Sequence, residues 1–126
     1  MKLNHIDLQV SDVSTARAFF ETHFGLRCKF QRRNELAMLE DDAGLEFGVS
    51  NLFGSAPPAY PRDFHLGFIL GTASEARATH ERLQQAGVPM KVGISRGGPN
   101  IYFMCVGPDG IVIEVRAPAD DERAAP

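Results

Sequence analysis

Two histidines and two glutamates stand where this sequence could do chemistry: His5 in NHIDLQV, Glu46 in GLEFGVS, His65 in FHLGFIL and Glu114 in GIVIEVR. All four stretches alternate as strands do, and a strand sends successive side chains to opposite faces. Ile6, Leu8 and Val10 oppose His5, Asp7 and Gln9, and Leu45, Phe47 and Val49 oppose Glu46, Gly48 and Ser50. Phe64, Leu66, Phe68 and Leu70 oppose His65, Gly67 and Ile69, and Ile111, Ile113 and Val115 oppose Val112, Glu114 and Arg116. The apolar sets are the expected core, which leaves the histidines and glutamates together on the other face. If those faces curve into a cup, two neutral imidazoles and two carboxylates form a nitrogen and oxygen donor set for a divalent ion such as Ni, Zn, Co, Mn or Fe(II). Any one of the four alone is what a solvated sheet face ordinarily carries, so the reading rests on all of them, one His and one Glu in each half of the chain.

The elements that must position these residues come in two copies. Shifted by 60 residues, NHIDLQVSDVSTARAFFE falls on FHLGFILGTASEARATHE with six identities, His5/His65 among them. Chance supplies about one over that length, since a common residue makes up roughly 7 % of a chain. Each copy reads as strand, helix and three strands. In the first, a strand over 3–10 precedes Ser11, Asp12 and Ser14 as helix caps, and a helix ends near Gly25. Strands follow at 26–32, 35–40 and 44–50. In the second, a strand at 63–70 leads to a helix at about 73–86 closed by Gly87, then to strands near 88–95, 100–106 and 110–117. The expected fold is α+β, two βαβββ modules whose curved mixed sheets surround a cup-shaped metal site. Its parts are a module over about 1–52, a Pro- and Gly-rich linker over about 53–62, a module over about 63–117 and a tail over 118–126. Order is expected to about Arg116, with fraying beyond it.

Composition narrows the function classes. With 126 residues, 44 % of them hydrophobic, the chain has room for one compact domain or two small halves sharing a core. A net charge of −3 offers no cationic footprint for nucleic acid or an anionic membrane surface. No apolar run approaches the roughly 20 residues that span a bilayer, and the N-terminus has no secretory h-region, so a soluble, cytoplasmic protein is expected. Cys28 and Cys105 form no CxxC pair and read as reduced thiols. Arg17 and Arg77 read as structural helix residues, His23 and His80 as surface or boundary histidines, and Arg96 as part of the glycine-rich turn SRGGPN.

The paired βαβββ plan, the opening NHIDLQVSDVSTARAFFETHFGL and the closing GPDGIVIEVRAP resemble the vicinal oxygen chelate superfamily. That superfamily includes glyoxalases, extradiol dioxygenases, fosfomycin-resistance thiol transferases and bleomycin-binding proteins. The resemblance covers about residues 3–117. It implies that His5, Glu46, His65 and Glu114 are the metal ligands, and that the protein is a homodimer. It also implies a glyoxalase-like lyase or isomerase acting on a small oxygenated substrate, whose enediolate or oxyanion the metal stabilises, with Glu114 or Glu46 as the general base. Alternatives within the resemblance are an antibiotic-binding protein without turnover, a dioxygenase or a thiol transferase. Glutathione-type glyoxalases carry an Arg four residues after the first His and an Asn four after the first Glu, where this chain has Gln9 and Ser50. Fosfomycin transferases carry a His after the last turn and no carboxylate at Glu46, where this chain has GPDGI and keeps the glutamate. Arg116, Tyr102, Asn100 and Gln9 are the candidate substrate-binding residues, Arg116 for its bidentate fit to carboxylate or phosphate.

Overall fold

A computed structural model describes residues 1–122, which fall into two compact units, Met1–Ala59 and the chain from Tyr60 onward. The first unit runs β1 (His5–Gln9), α1 (Val13–Phe24), β2 (Arg27–Arg32), β3 (Leu36–Glu40) and β4 (Glu46–Ser50). Its sheet has the order β1-β4-β3-β2, with β1 parallel to β4 and the remaining pairs antiparallel. The second unit runs β5 (His65–Ile69), α2 (Ala73–Gln85), β6 (Met90–Gly97), β7 (Asn100–Val106) and β8 (Val112–Pro118). Its order β5-β8-β7-β6, with β5 parallel to β8, repeats the first. The α+β reading and the two βαβββ plans hold.

Local chemistry explains each helix. Asp12 caps α1 by accepting from the Thr15 amide at 3.0 Å. Val13, Ala16 and Phe20, spaced three and four apart, form its buried stripe, and the Phe20 ring meets Phe47 edge-on at 4.9 Å. Gly25 ends the helix at φ +66°, the left-handed conformation that favours glycine. In the second unit Thr72 caps α2 through the Glu75 amide, while Ala73, Ala76 and Leu83 face the sheet. Beneath the helices lie Leu8, Ala37, Leu39, Phe47 and Val49 in one unit, and Ile101, Phe103, Cys105, Ile113 and Val115 in the other, all buried. Strand parity thus divides core from opposite face as expected.

Three expectations need correction. Order does not stop at Arg116: β8 continues to Pro118, and a 3-10 turn at Asp120–Glu122 follows because its carboxylates have partners. Asp121 accepts from the Ala73 and Ser74 amides at 3.0 and 3.1 Å, and Glu122 pairs with Arg77. The end of the expected tail, 123–126, lies outside the described residues. Phe64 is not core; it is exposed and stacks on Tyr60 at 5.7 Å, since β5 begins only at His65. Arg96 belongs to β6, opposite Ile101, rather than to the turn, and its guanidinium lies 3.7 Å from Glu122. His80 is half-buried, the boundary histidine expected: its ring packs on Phe103 at 5.0 Å, and its Nε2 is buried without a hydrogen-bond partner among the described residues. Both cysteines are free thiols, and burial pushes that of Cys105 up to about 11.

Candidate metal centre

Strand register arranges the face away from the helix into rows, because paired residues on neighbouring strands lie only about 5 Å apart. In the second unit one row holds Gly67, Glu114 and Met104, and the next holds Ile69, Arg116 and Tyr102. His65 pairs with Val112, one row before Glu114. Its Nδ1 lies 3.0 Å from the Asp63 carbonyl oxygen. A carbonyl can only accept, so Nδ1 is the donor there, and in the neutral ring the lone pair lies on Nε2. Nε2 is on the Glu114 side, 3.9 Å from Oε2. Glu114 is buried, and Arg116 provides its counter-charge at 3.2 Å from the same oxygen. Gly67 lies alongside: a Cβ there would meet Glu114 Oε2 at 3.8 Å, an ordinary van der Waals contact.

The first unit has the same rows with different occupants. His5, Glu46 and Glu40 share one, Asp7, Gly48 and Met38 the next, and Gln9, Ser50 and Leu36 the third. His5 repeats the arrangement of His65, its Nδ1 lying 2.8 Å from the Asn4 side-chain oxygen. Glu46, however, is occupied. The Lys29 ammonium donates to its Oε1 at 3.0 Å and sits 3.6 Å from Glu40, and the Glu46 hydrogen bond raises the lysine's pKa. Lys29 reaches the carboxylates from a bulge in β2 between Cys28 and Phe30, a device that re-aims a side chain.

The candidates therefore separate. His65, Glu114 and Arg116 come together, with Tyr102 beside Arg116; Asn100, paired with Pro118, stands a row further on. His5 and Glu46 share a row, but the glutamate's partner is Lys29, and Gln9 lies two rows from His5. Among the described residues, no three His, Cys, Asp or Glu side chains gather closely enough to hold a metal ion. Lys29 escaped the reading of the sequence, because nothing in the order CKF marks a bulge.

Residues 2–115 match the model of the Glyoxalase/Bleomycin resistance protein/Dioxygenase superfamily. The chain belongs to that superfamily. Solved structures agree with this membership. A possible glyoxalase from Bacillus cereus is 30 % identical with a TM-score of 0.80, covering 91 % of this chain and 97 % of that one. Lactoylglutathione lyase from Agrobacterium tumefaciens is 16 % identical with a TM-score of 0.76, covering 92 % of each chain. The fosfomycin resistance protein FosX from Listeria monocytogenes is 22 % identical with a TM-score of 0.78, covering 98 % of each. The last two show likeness of fold. No curated protein matches. Members of the superfamily commonly use divalent metals, and the second unit offers two donors of the kind such an ion takes: the His65 Nε2, the ring's orientation fixed through Nδ1, and the Glu114 carboxylate 3.9 Å from it.

Proposed function

We propose that this superfamily member is a metal-dependent, glyoxalase-like lyase or isomerase acting on a small oxygenated substrate, with His65 and Glu114 as metal ligands. The arrangement that carries the reading is His65, anchored through Nδ1 on the Asp63 carbonyl, with Nε2 toward the buried Glu114. When bound, a divalent ion supplies Lewis-acid stabilisation of negative charge developing on substrate oxygen. Arg116 and Tyr102, paired across β7 and β8, orient a polar or anionic substrate group, and Asn100 extends that strip. Glu46 or Glu114 moves the proton, and Lys29 positions Glu46 through their 3.0 Å hydrogen bond. The reading includes His5 and Glu46 as further ligands and a cytoplasmic homodimer, the latter checked by light scattering.

Elemental analysis of protein purified without chelator tests it. Near-stoichiometric Ni, Zn, Co or Mn, lost in His65→Ala and Glu114→Gln, is the expected result. Metal-free wild type whose ligand-induced stabilisation ignores EDTA points instead to a binding protein without turnover. Bound iron with dioxygen consumption points to ring cleavage.

A further inference from the structure

The open face of the second unit's sheet changes character from one side to the other. β5 and β8 bring His65, Glu114 and Arg116 to it, whereas β7 and β6 bring Met104 beside Val92 in one row and Tyr102 beside Ser95 in the next. Met104, Val92 and Tyr102 are only half-buried, so the sheet leaves apolar surface uncovered there. The first unit repeats the division, since Asp7 and Gly48 open a row that Met38 and the exposed Phe30 finish. Arg116 stands at the boundary, paired across the strands with Ile69 on one side and Tyr102 on the other. Ile69 is 78 % exposed. Both hydrogen bonds of Arg116 come from Nη2 and go to Glu114, which leaves Nη1 and Nε without a partner among the described residues, on a half-exposed side chain. Gly97 seats the Tyr102 ring: a Cβ there would lie 3.2 Å from Cε1, tighter than ordinary contact, so the ring takes the space of a β6 side chain.

We propose that this face takes a small carboxylate with an apolar, ring-sized body, the acid group on Arg116 and the body over Tyr102 and Met104 toward Val92. This rests on the reading above of Arg116 and Tyr102 as substrate-orienting residues and names the class of substrate they select. A planar guanidinium with donors to spare matches a carboxylate. From β8 to β6 is two strand spacings, about 10 Å, room for the acid group and one ring. An apolar body gains by releasing water from Met104, Val92 and the tyrosine ring. The hydroxyls of a sugar acid would give up water there without gaining partners. Ile69, in the Arg116 row, adds apolar surface beside the acid group.

Titration calorimetry and ligand-observed NMR on the full chain, as purified and after EDTA, test this with phenylacetate, acetate, phenylacetamide and gluconate. Phenylacetate is expected to bind on the order of tenfold or more tighter than the other three, which lack in turn the body, the charge and the apolar character. Arg116→Gln should erase the preference for phenylacetate over phenylacetamide, and Tyr102→Ser the preference for phenylacetate over acetate, with melting curves as the folding control. Where either variant fails to fold, Arg116→Lys, which keeps a counter-charge for Glu114, and Gly97→Ala, which displaces the tyrosine ring, should weaken the same preferences and decide the matter. Acetate or gluconate binding as tightly as phenylacetate, selectivity untouched in the variants, or no binding of any of the four overturns the proposal and leaves the metal-dependent reading standing. Wild type that holds no metal and still shows this selectivity overturns the metal-dependent reading and leaves the proposal standing.

Discussion

The histidines differ most from one another at the level of single atoms. His5 and His65 each commit Nδ1 to a neighbouring oxygen, which frees Nε2 for chemistry. His80 differs: its Nε2 is buried with no hydrogen-bond partner among the described residues, against the Phe103 ring. A buried, unsatisfied polar atom costs about 1–3 kcal/mol, and an apolar replacement removes that cost. His80→Leu, at a helical position where leucine is also the better helix former, should therefore stabilise the protein by about 1 kcal/mol in chemical denaturation. Strand parity marked His5 and His65 as site-face residues in the sequence. The packing of the half-buried His80 ring on Phe103 was not legible, because α2 is polar on most of its surface and its inward face is made largely of Ala73 and Ala76, which give a weak apolar signal.

At the scale of elements, the order of strands and helices was readable because the repeat doubled every signal and Gly25 marked the end of α1. Parity assigns a face, however, and not a row. Glu46 and Glu114 both lie opposite the core, yet Glu46 pairs with His5 while Glu114 pairs with Gly67, and only the register shows it. The start of α2 holds a similar surprise, since a carboxylate from 48 residues away in sequence caps it: Asp121 on the Ala73 and Ser74 amides. Those amides hold the Asp121 carboxyl below its ordinary value of 3.8. A carboxyl depressed in the fold adds stability above its unfolded pKa and loses it as pH falls through the folded one. Asp121→Asn should therefore lower the melting temperature at pH 7, and its curve should converge on wild type as pH drops below 3.8. A deficit undiminished in acid would show that the capping charge is not the cause.

For the molecule as a whole, fold and reaction are separate questions. The superfamily follows from a match over residues 2–115. One fold, however, hosts many chemistries, and the structural neighbours range from a lactoylglutathione lyase to a fosfomycin resistance protein. What distinguishes a metal-dependent enzyme from a binding protein is a global property, because any ligand held only by the native state stabilises the entire cooperative unit. At a free metal concentration of about 100 Kd this linkage amounts to about 2.7 kcal/mol. For a domain of this size it corresponds to roughly 10 °C in melting temperature. EDTA should remove that increment from wild type, and excess Ni(II) or Co(II) should restore it. Glu114→Gln should melt near the EDTA-treated wild type and respond weakly to either addition, since its buried oxygen beside His65 is the donor lost. A wild-type melting curve indifferent to both chelator and metal would assign the scaffold of this chain to binding without a metal, with Arg116 and Tyr102 rather than His65 and Glu114 as its working residues.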